Sequence, residues 1–124
     1  QAARVQLESI VHPVIRRLIN VWFARCADTT STTVAIAEIP LLYETNRAEV
    51  FDNVIVVSCA PKVQVARIIK RDKLSAVDAQ IRLAAQLPIT QKIAAASWVV
   101  RTDGTNIDTA QQVDRLCLAL QAAQ

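Results

Sequence analysis

Arg67 and Arg71 stand four residues apart, with Gln64 three residues before the first. On a helix that spacing puts all three side chains on one face. Lys70 and Lys73 flank the second arginine, and five basic residues against one acid give Lys62 to Lys73 a charge of +4. The whole chain carries +3, so the rest is weakly acidic and the basicity is one local patch facing an anion. Two accounts of the patch stand. Cations near a helix carboxy-terminus complement its dipole and stay solvated, which is the commoner case. Alternatively, guanidinium forks clamp phosphate oxygens and stabilise the charge that develops as a phosphoryl group moves. The segment by itself leaves both open.

Other reactive side chains are sparse. The single histidine is His12, immediately before Pro13. Cys26, Cys59 and Cys117 lie far apart, make no C-x-x-C pair and are odd in number, which argues against a zinc site or a disulfide framework. Each sits in an apolar run and reads as a small buried hydrophobe in a reducing compartment. No metal site is expected.

The elements that must carry these groups alternate. Residues 4 to 11 have helical spacing, His12-Pro13 interrupts, and Pro13 suits the first position of a second helix with Val14, Ile15, Leu18, Val21 and Trp22 as its apolar stripe. Asp28 to Thr33 is a surface loop. Val34 to Ile39 and Asn53 to Cys59 are short apolar runs expected as buried strands, with a turn or two of helix between them. Pro61 opens a helix to about Asp72. Ser75 and Asp78 form a capping box for another, reaching about Leu87, with Val77, Ile81, Ala84 and Ala85 buried and an Asp78–Arg82 pair on its wet side. Pro88 separates a short helix, Thr90 to Ala96. Trp98-Val99-Val100 is a third strand, Thr102-Asp103-Gly104 its turn, and Asn106 to Gln121 a final helix with Ile107, Ala110, Val113, Leu116, Cys117 and Leu120 on one face. Strands alternating with helices imply an α/β fold with a parallel sheet.

Length and composition bound the class. The 124 residues are 52% hydrophobic and 20% charged, enough for one globular core. No run of about 20 apolar residues could span a membrane, and no basic-then-apolar leader opens the chain, so the expectation is a cytoplasmic protein with no membrane partner. The chain starts at Gln1 in what reads as mid-helix, and Gly104 is its one glycine. An α/β domain needs more positive-φ positions than that, so a glycine-rich portion is expected ahead of residue 1.

Four segments carry a family resemblance. Leu7 to Arg16 resembles the L-E-x-I-x-H-P-x-I-R segment of dephospho-coenzyme A kinases, Ile39 to Glu44 resembles their I-P-L-L-F-E, and Asp52 to Val57 matches their D-x-V-x-V-V strand. Gln64, Arg67, Arg71-Asp72, Ser75, Ala79, Arg82, Gln86 and Lys92 follow in the order and spacing of the family's lid.

The resemblance implies an incomplete P-loop kinase fold: a parallel sheet of about three strands, a helical lid and part of a helical substrate domain. It implies transfer of the ATP γ-phosphate, with Mg²⁺, to the ribose 3′-hydroxyl of dephospho-coenzyme A, the last step of coenzyme A synthesis. Residues 1–28 would end the substrate domain, 33–67 and 98–124 would form half of the nucleotide core, and 68–97 the lid. Arg71 and Arg67 would meet the triphosphate on lid closure. His12 and Arg16 would face dephospho-coenzyme A, with Pro40, Leu41 and Glu44 shaping the cleft beyond a strand end. Thr102 and Gly104 would approach the adenine. Where the family has Asp, this chain has Glu38 and Ser97; Arg101 replaces an acid and Thr102 an Asn.

The motif G-x-x-x-x-G-K-[ST] does not occur in these residues, and without its backbone cradle for phosphates the 124 residues alone are expected to be inactive. Two alternatives follow from the residues: another small-molecule kinase of the same fold, or a non-catalytic module binding an anion through residues 62–73. The patch has no interleaved aromatics for base stacking, which speaks against nucleic acid. Oligomeric state is not encoded in any feature above.

Overall fold

The computed structural model describes residues 2–29 and 34–122, with the side chain of Arg4 outside that description. It divides into two units, Gln1–Glu38 and Ile39–Gln124. Residues 30–33 of the expected surface loop lie outside the described residues.

Among its described residues the first unit is one helix, α1 (Ala2–Ala27), with residues 34–38 outside regular secondary structure. The expected break at His12-Pro13 is absent. Pro13 removes the N–H that would have reached the Ser9 carbonyl, but its fixed φ is already helical, so the helix runs through at the loss of one bond. Its apolar stripe, including Leu18 and Trp22, is exposed, with Leu18, Ile19 and Trp22 facing a shallow hollow shared with Ile36 and Ala37. Trp22 and Phe23 meet edge to face at 5.0 Å between centroids.

Residues 34–39, expected as a strand, take no regular secondary structure and join no ladder among the described residues. A strand is defined by its neighbour, and this run has none here. The chain then turns at residues 40–46, held by Thr45, whose N–H and hydroxyl both donate to the Leu41 carbonyl at 3.1 and 2.9 Å. Asn46 closes the turn with φ 51°, a left-handed conformation that asparagine tolerates better than most residues. A single 3-10 turn, Ala48–Val50, follows.

Among the described residues the sheet has two parallel strands, β1 (Ile55–Ser58) and β2 (Trp98–Arg101), in the register Ile55↔Trp98 to Ser58↔Arg101. Parallel neighbours need a long crossover. Here it consists of α2 (Pro61–Asp72), α3 (Ala76–Ala84) and α4 (Ile89–Ala94). The last helix, α5 (Asn106–Ala122), returns to pack on β2, while α4 packs on β1 and α2 on α3. Proline stands at the first position of α2, where its missing N–H costs nothing. Ser75 caps α3, its hydroxyl accepting from the Asp78 N–H at 3.1 Å, as expected.

The core is small: Val54, Val56, Cys59, Ala79, Val100 and Leu116, with the polar Ser58 and Lys92 also buried. Val56 and Ser58 share the covered face of β1, whereas Val57 is 64% exposed, so the strand expected to be buried on both sides is covered on one. Two helix faces also differ from expectation. Val77 and Ile81 of α3 point to solvent and Ala79 is the buried contact; on α5 Leu116 is buried while Ile107, Val113 and Cys117 are exposed. Apolar spacing sets the width of a stripe, but the neighbour that packs selects the line within it.

Candidate functional site

Both strands end on the same side, and the segments that follow them are stitched together there. After β1 comes Cys59-Ala60 and the start of α2; after β2 comes Thr102-Asp103-Gly104 and the start of α5. The Thr102 N–H donates to the Ser58 carbonyl at 2.8 Å, and the Thr102 hydroxyl donates to the same oxygen at 3.2 Å. The Asp103 carboxylate accepts from the Ala60 N–H at the mouth of α2. The strand ends therefore form a braced platform, the position at which open α/β sheets bind ligands.

Arg67 reaches this platform from the second turn of α2. Its guanidinium donates to the Thr102 hydroxyl at 2.8 Å and to the Thr102 carbonyl at 2.6 Å. One expected phosphate-side residue and one expected adenine-side residue thus meet directly.

Arg71, a helical turn further on, is largely exposed and pairs with its neighbour Asp72 at 2.7 Å. Arg82 reaches the other oxygen of Asp72, also at 2.7 Å. The expected Asp78–Arg82 pair is not formed: the Asp78 carboxylate accepts from the Ser75 hydroxyl, which leaves Arg82 to bridge α3 to the end of α2. The hydrogen bond from Arg71 chiefly holds the Asp72 carboxyl below its ordinary value; desolvation opposes it, and the charges of Arg71 and Arg82 add smaller pulls downward. Lys73 ends α2 in a left-handed conformation, φ 57°.

Gly104 does not take a positive φ. Its smallness serves a different purpose: a Cβ there would sit 2.7 Å from Asp108 Oδ2. That carboxylate folds back to accept from the Thr105 N–H and hydroxyl at 2.8 and 2.7 Å, while the Asp108 N–H donates to the Thr105 hydroxyl at 3.1 Å. These bonds, chiefly the one from the Thr105 hydroxyl, lower the Asp108 pKa. Glycine makes room for the cap of α5.

Glu44 is half-buried in the 40–46 turn, with Pro40 exposed and Leu41 half-buried beside it. Its Oε1 accepts from Lys92 Nζ at 2.6 Å and from the Leu87 N–H at 2.9 Å, while Oε2 is buried without a hydrogen-bond partner. Burial pushes the carboxyl up, but the bond from Lys92, the bond from Leu87 and the lysine charge together bring it below the ordinary glutamate value. His12 and Arg16 lie one turn apart on α1 in the other unit, the first half-buried and the second exposed.

Sequence reasoning missed several contributors. Ser97, noted as a departure from Asp, accepts from the Val54 N–H at 3.0 Å and aligns the start of β1 with β2. Asp103 was visible only as part of a turn, and Lys92 only as a spacing match; a lysine in an apolar helix followed by Ile93 and alanines was the available signal that it needs a buried partner. Among the described residues no group of three His, Cys, Asp or Glu could hold a metal ion.

A parallel pair of strands joined by a helical excursion, with an arginine of that excursion lying over the strand ends, is part of a P-loop kinase fold. The chain belongs to the dephospho-CoA kinase family, whose model matches residues 1–108. It is 38% identical over 122 residues to the dephospho-CoA kinase of Anaeromyxobacter dehalogenans, covering 98% of this chain and 57% of that protein. With the Bacillus cereus enzyme of the same name identity is 33% over 111 residues, covering 90% and 55%. A crystal structure from Thermus thermophilus matches with a TM-score of 0.81 at 28% identity, covering 96% of this chain and 60% of that one. The Campylobacter jejuni dephospho-CoA kinase matches at 0.68 and 27%, covering 98% and 60%. The chain spans a little over half the length of the curated relatives it matches. Among the described residues no helix is long and apolar enough to cross a membrane.

Proposed function

We propose that the chain supplies the lid, the strand-end platform and one side of the acceptor site in ATP-dependent phosphorylation of the ribose 3′-hydroxyl of dephospho-coenzyme A. The observation that carries this reading is Arg67, fixed by two hydrogen bonds over the carboxyl ends of parallel strands in a chain of this family. Phosphoryl transfer asks a protein mainly to position its reactants and to offset charge on the moving group. Arg67 is already held over the strand ends, so it loses little freedom in meeting an anion that approaches there. Arg71 is 72% exposed and tied only to its neighbour Asp72, an interaction that water screens from the arginine side, so it gives up little in swinging to a phosphate. Residues 68–97 act as the lid carrying it, residues 33–67 and 98–124 as part of the nucleotide core, and residues 1–28 as the end of the substrate domain. Gly104 and the second lone pair of the Thr102 carbonyl are offered to the adenine; His12 and Arg16 in the first unit, and Pro40 and Leu41 in the second, are each assigned to dephospho-coenzyme A. The family's setting is cytoplasmic, with ATP and Mg²⁺ supplied from solution.

The 124 residues contain no G-x-x-x-x-G-K-[ST] loop, so the chain by itself binds triphosphate weakly and turns over negligibly. Isothermal titration with inorganic tripolyphosphate, at low salt, tests the reading. Weak binding that is lost in Arg67→Ala plus Arg71→Ala is expected. Binding unchanged by that pair of substitutions, or turnover by the chain alone at the rate of a complete enzyme, would overturn it.

A further inference from the structure

Residues 73–87 have two unlike roots. At the front root α2 ends on Lys73 in a left-handed conformation, and Asp72 beside it, 20% exposed, is paired with two hydrated cations, Arg71 and Arg82, whose side chains are 72% and 57% exposed. Such a joint is easily remade: its ion pairs are screened, and its backbone sits in a region that a lysine leaves readily.

The rear root is built differently. One oxygen, Glu44 Oε1, receives both the Leu87 N–H, at the linker leaving α3, and the Lys92 ammonium, in the middle of α4. Lys92 is only 9% exposed and the Glu44 side chain 19%. Removing two opposite charges from water gains little net stability over an apolar pair, but separating them once buried is costly. A buried pair therefore fixes geometry more than it adds stability. The carboxylate is also held from its own side by the hydrogen-bonded turn at residues 40–46. The contact joins segments more than 40 residues apart and locks the linker and the next helix together.

We propose that Glu44 is a positioning residue, not a ligand: it pins the rear root of the lid at Leu87–Lys92, so that opening is confined to the part of the lid ahead of that clasp, residues 68–86. This rests on reading residues 68–97 as a lid. Glu44 Oε1 is already occupied twice and Oε2 is buried, so neither oxygen reaches a substrate without breaking the clasp.

Hydrogen exchange of the 124-residue chain, read by peptide mass, tests the proposal without any ligand. In Glu44→Ala, exchange over residues 86–95 is expected to rise roughly tenfold while β1, β2 and α3 stay within about twofold of the parent. Lys92→Arg, which keeps the charge, should leave the profile near that of the parent. If Glu44→Ala does not fold, Glu44→Gln is the readable variant, since it keeps an acceptor for the Leu87 N–H; the same local rise, smaller, is expected. An unchanged 86–95 segment, or a rise spread evenly over β1 and β2, would overturn the positioning role. Adding tripolyphosphate to the parent is a separate arm: protection of residues 67–82 supports the lid reading, and its absence overturns that reading while the ligand-free comparison still decides the clasp.

Discussion

Arg67 and Thr102 hold each other through two hydrogen bonds, one to a hydroxyl and one to a carbonyl, across the two segments that leave the parallel strands. Thr102 passes the restraint on by donating its own hydroxyl to Ser58. Thr102→Val keeps the shape and removes the hydroxyl from both bonds. It is expected to cost about 1 kcal/mol in urea unfolding, and to weaken tripolyphosphate binding less than Arg67→Ala does.

Asp72 pairs with both Arg71 and Arg82, so on the proposed lid reading it competes with phosphate for them. Asp72→Asn should release both cations and tighten tripolyphosphate binding by about two- to fivefold at low salt. The gain should fade toward molar salt, where the screening length falls to about 3 Å. Weaker binding in Asp72→Asn would show that the bridge positions the arginines instead of withholding them.

The Glu44 carboxyl titrates below its ordinary value in the folded protein. A depressed acid contributes stability that is fully present above its unfolded pKa and is lost as pH falls through the folded one. Stability is therefore expected to hold near neutrality and to decline once pH drops below the ordinary glutamate range, with the surface carboxyls Asp72 and Asp108 acting in the same direction. Urea midpoints of the parent and of Glu44→Gln between pH 7 and pH 3 check this. The variant should start lower and fall less steeply.

At the start of α5, Gly104→Ala places a methyl group against the Asp108 carboxylate. The substitution should lower the thermal midpoint, and adding Asp108→Ala should recover part of the loss, because the clash and the cap share one side chain. Simple additivity of the two effects would contradict that account.

The observed facing of α5 separates two substitutions of similar chemistry. Leu116, 8% exposed, should cost about 2–4 kcal/mol when changed to Ala. Ile107, 70% exposed, should cost less than about 0.5 kcal/mol. Denaturant unfolding of both variants measures the difference.

Legibility followed the punctuation. Pro61, Ser75 and the Thr-Asp-Gly turn act through their own backbone or side chain, so α2, α3, α5 and both strands could be placed from neighbours in sequence. What depended on distant neighbours was not legible. Pro13 has the same local signature whether it starts a helix or lies inside one. Arg82 had a candidate partner four residues away, yet its partner is ten residues away because Asp78 was taken by Ser75. Residues 34–39 have strand composition, but no hydrogen-bonding neighbour among the described residues. In the site, Arg67 and Thr102 were each marked by type and position, while their direct bond, and the capture of Glu44 by Lys92, arise from side chains meeting over 30 to 50 residues of chain.

With only two strands in the ladder, β1 and β2 each present one outer rim of N–H and C=O groups that no other strand fills among the described residues, and Val57 lies bare on β1. Such a rim is a template for any extended segment that drifts alongside, including the same strand of another copy. Concentrated solutions of the isolated chain should thus build β-rich oligomers, and a lysine placed at Val57 should delay them.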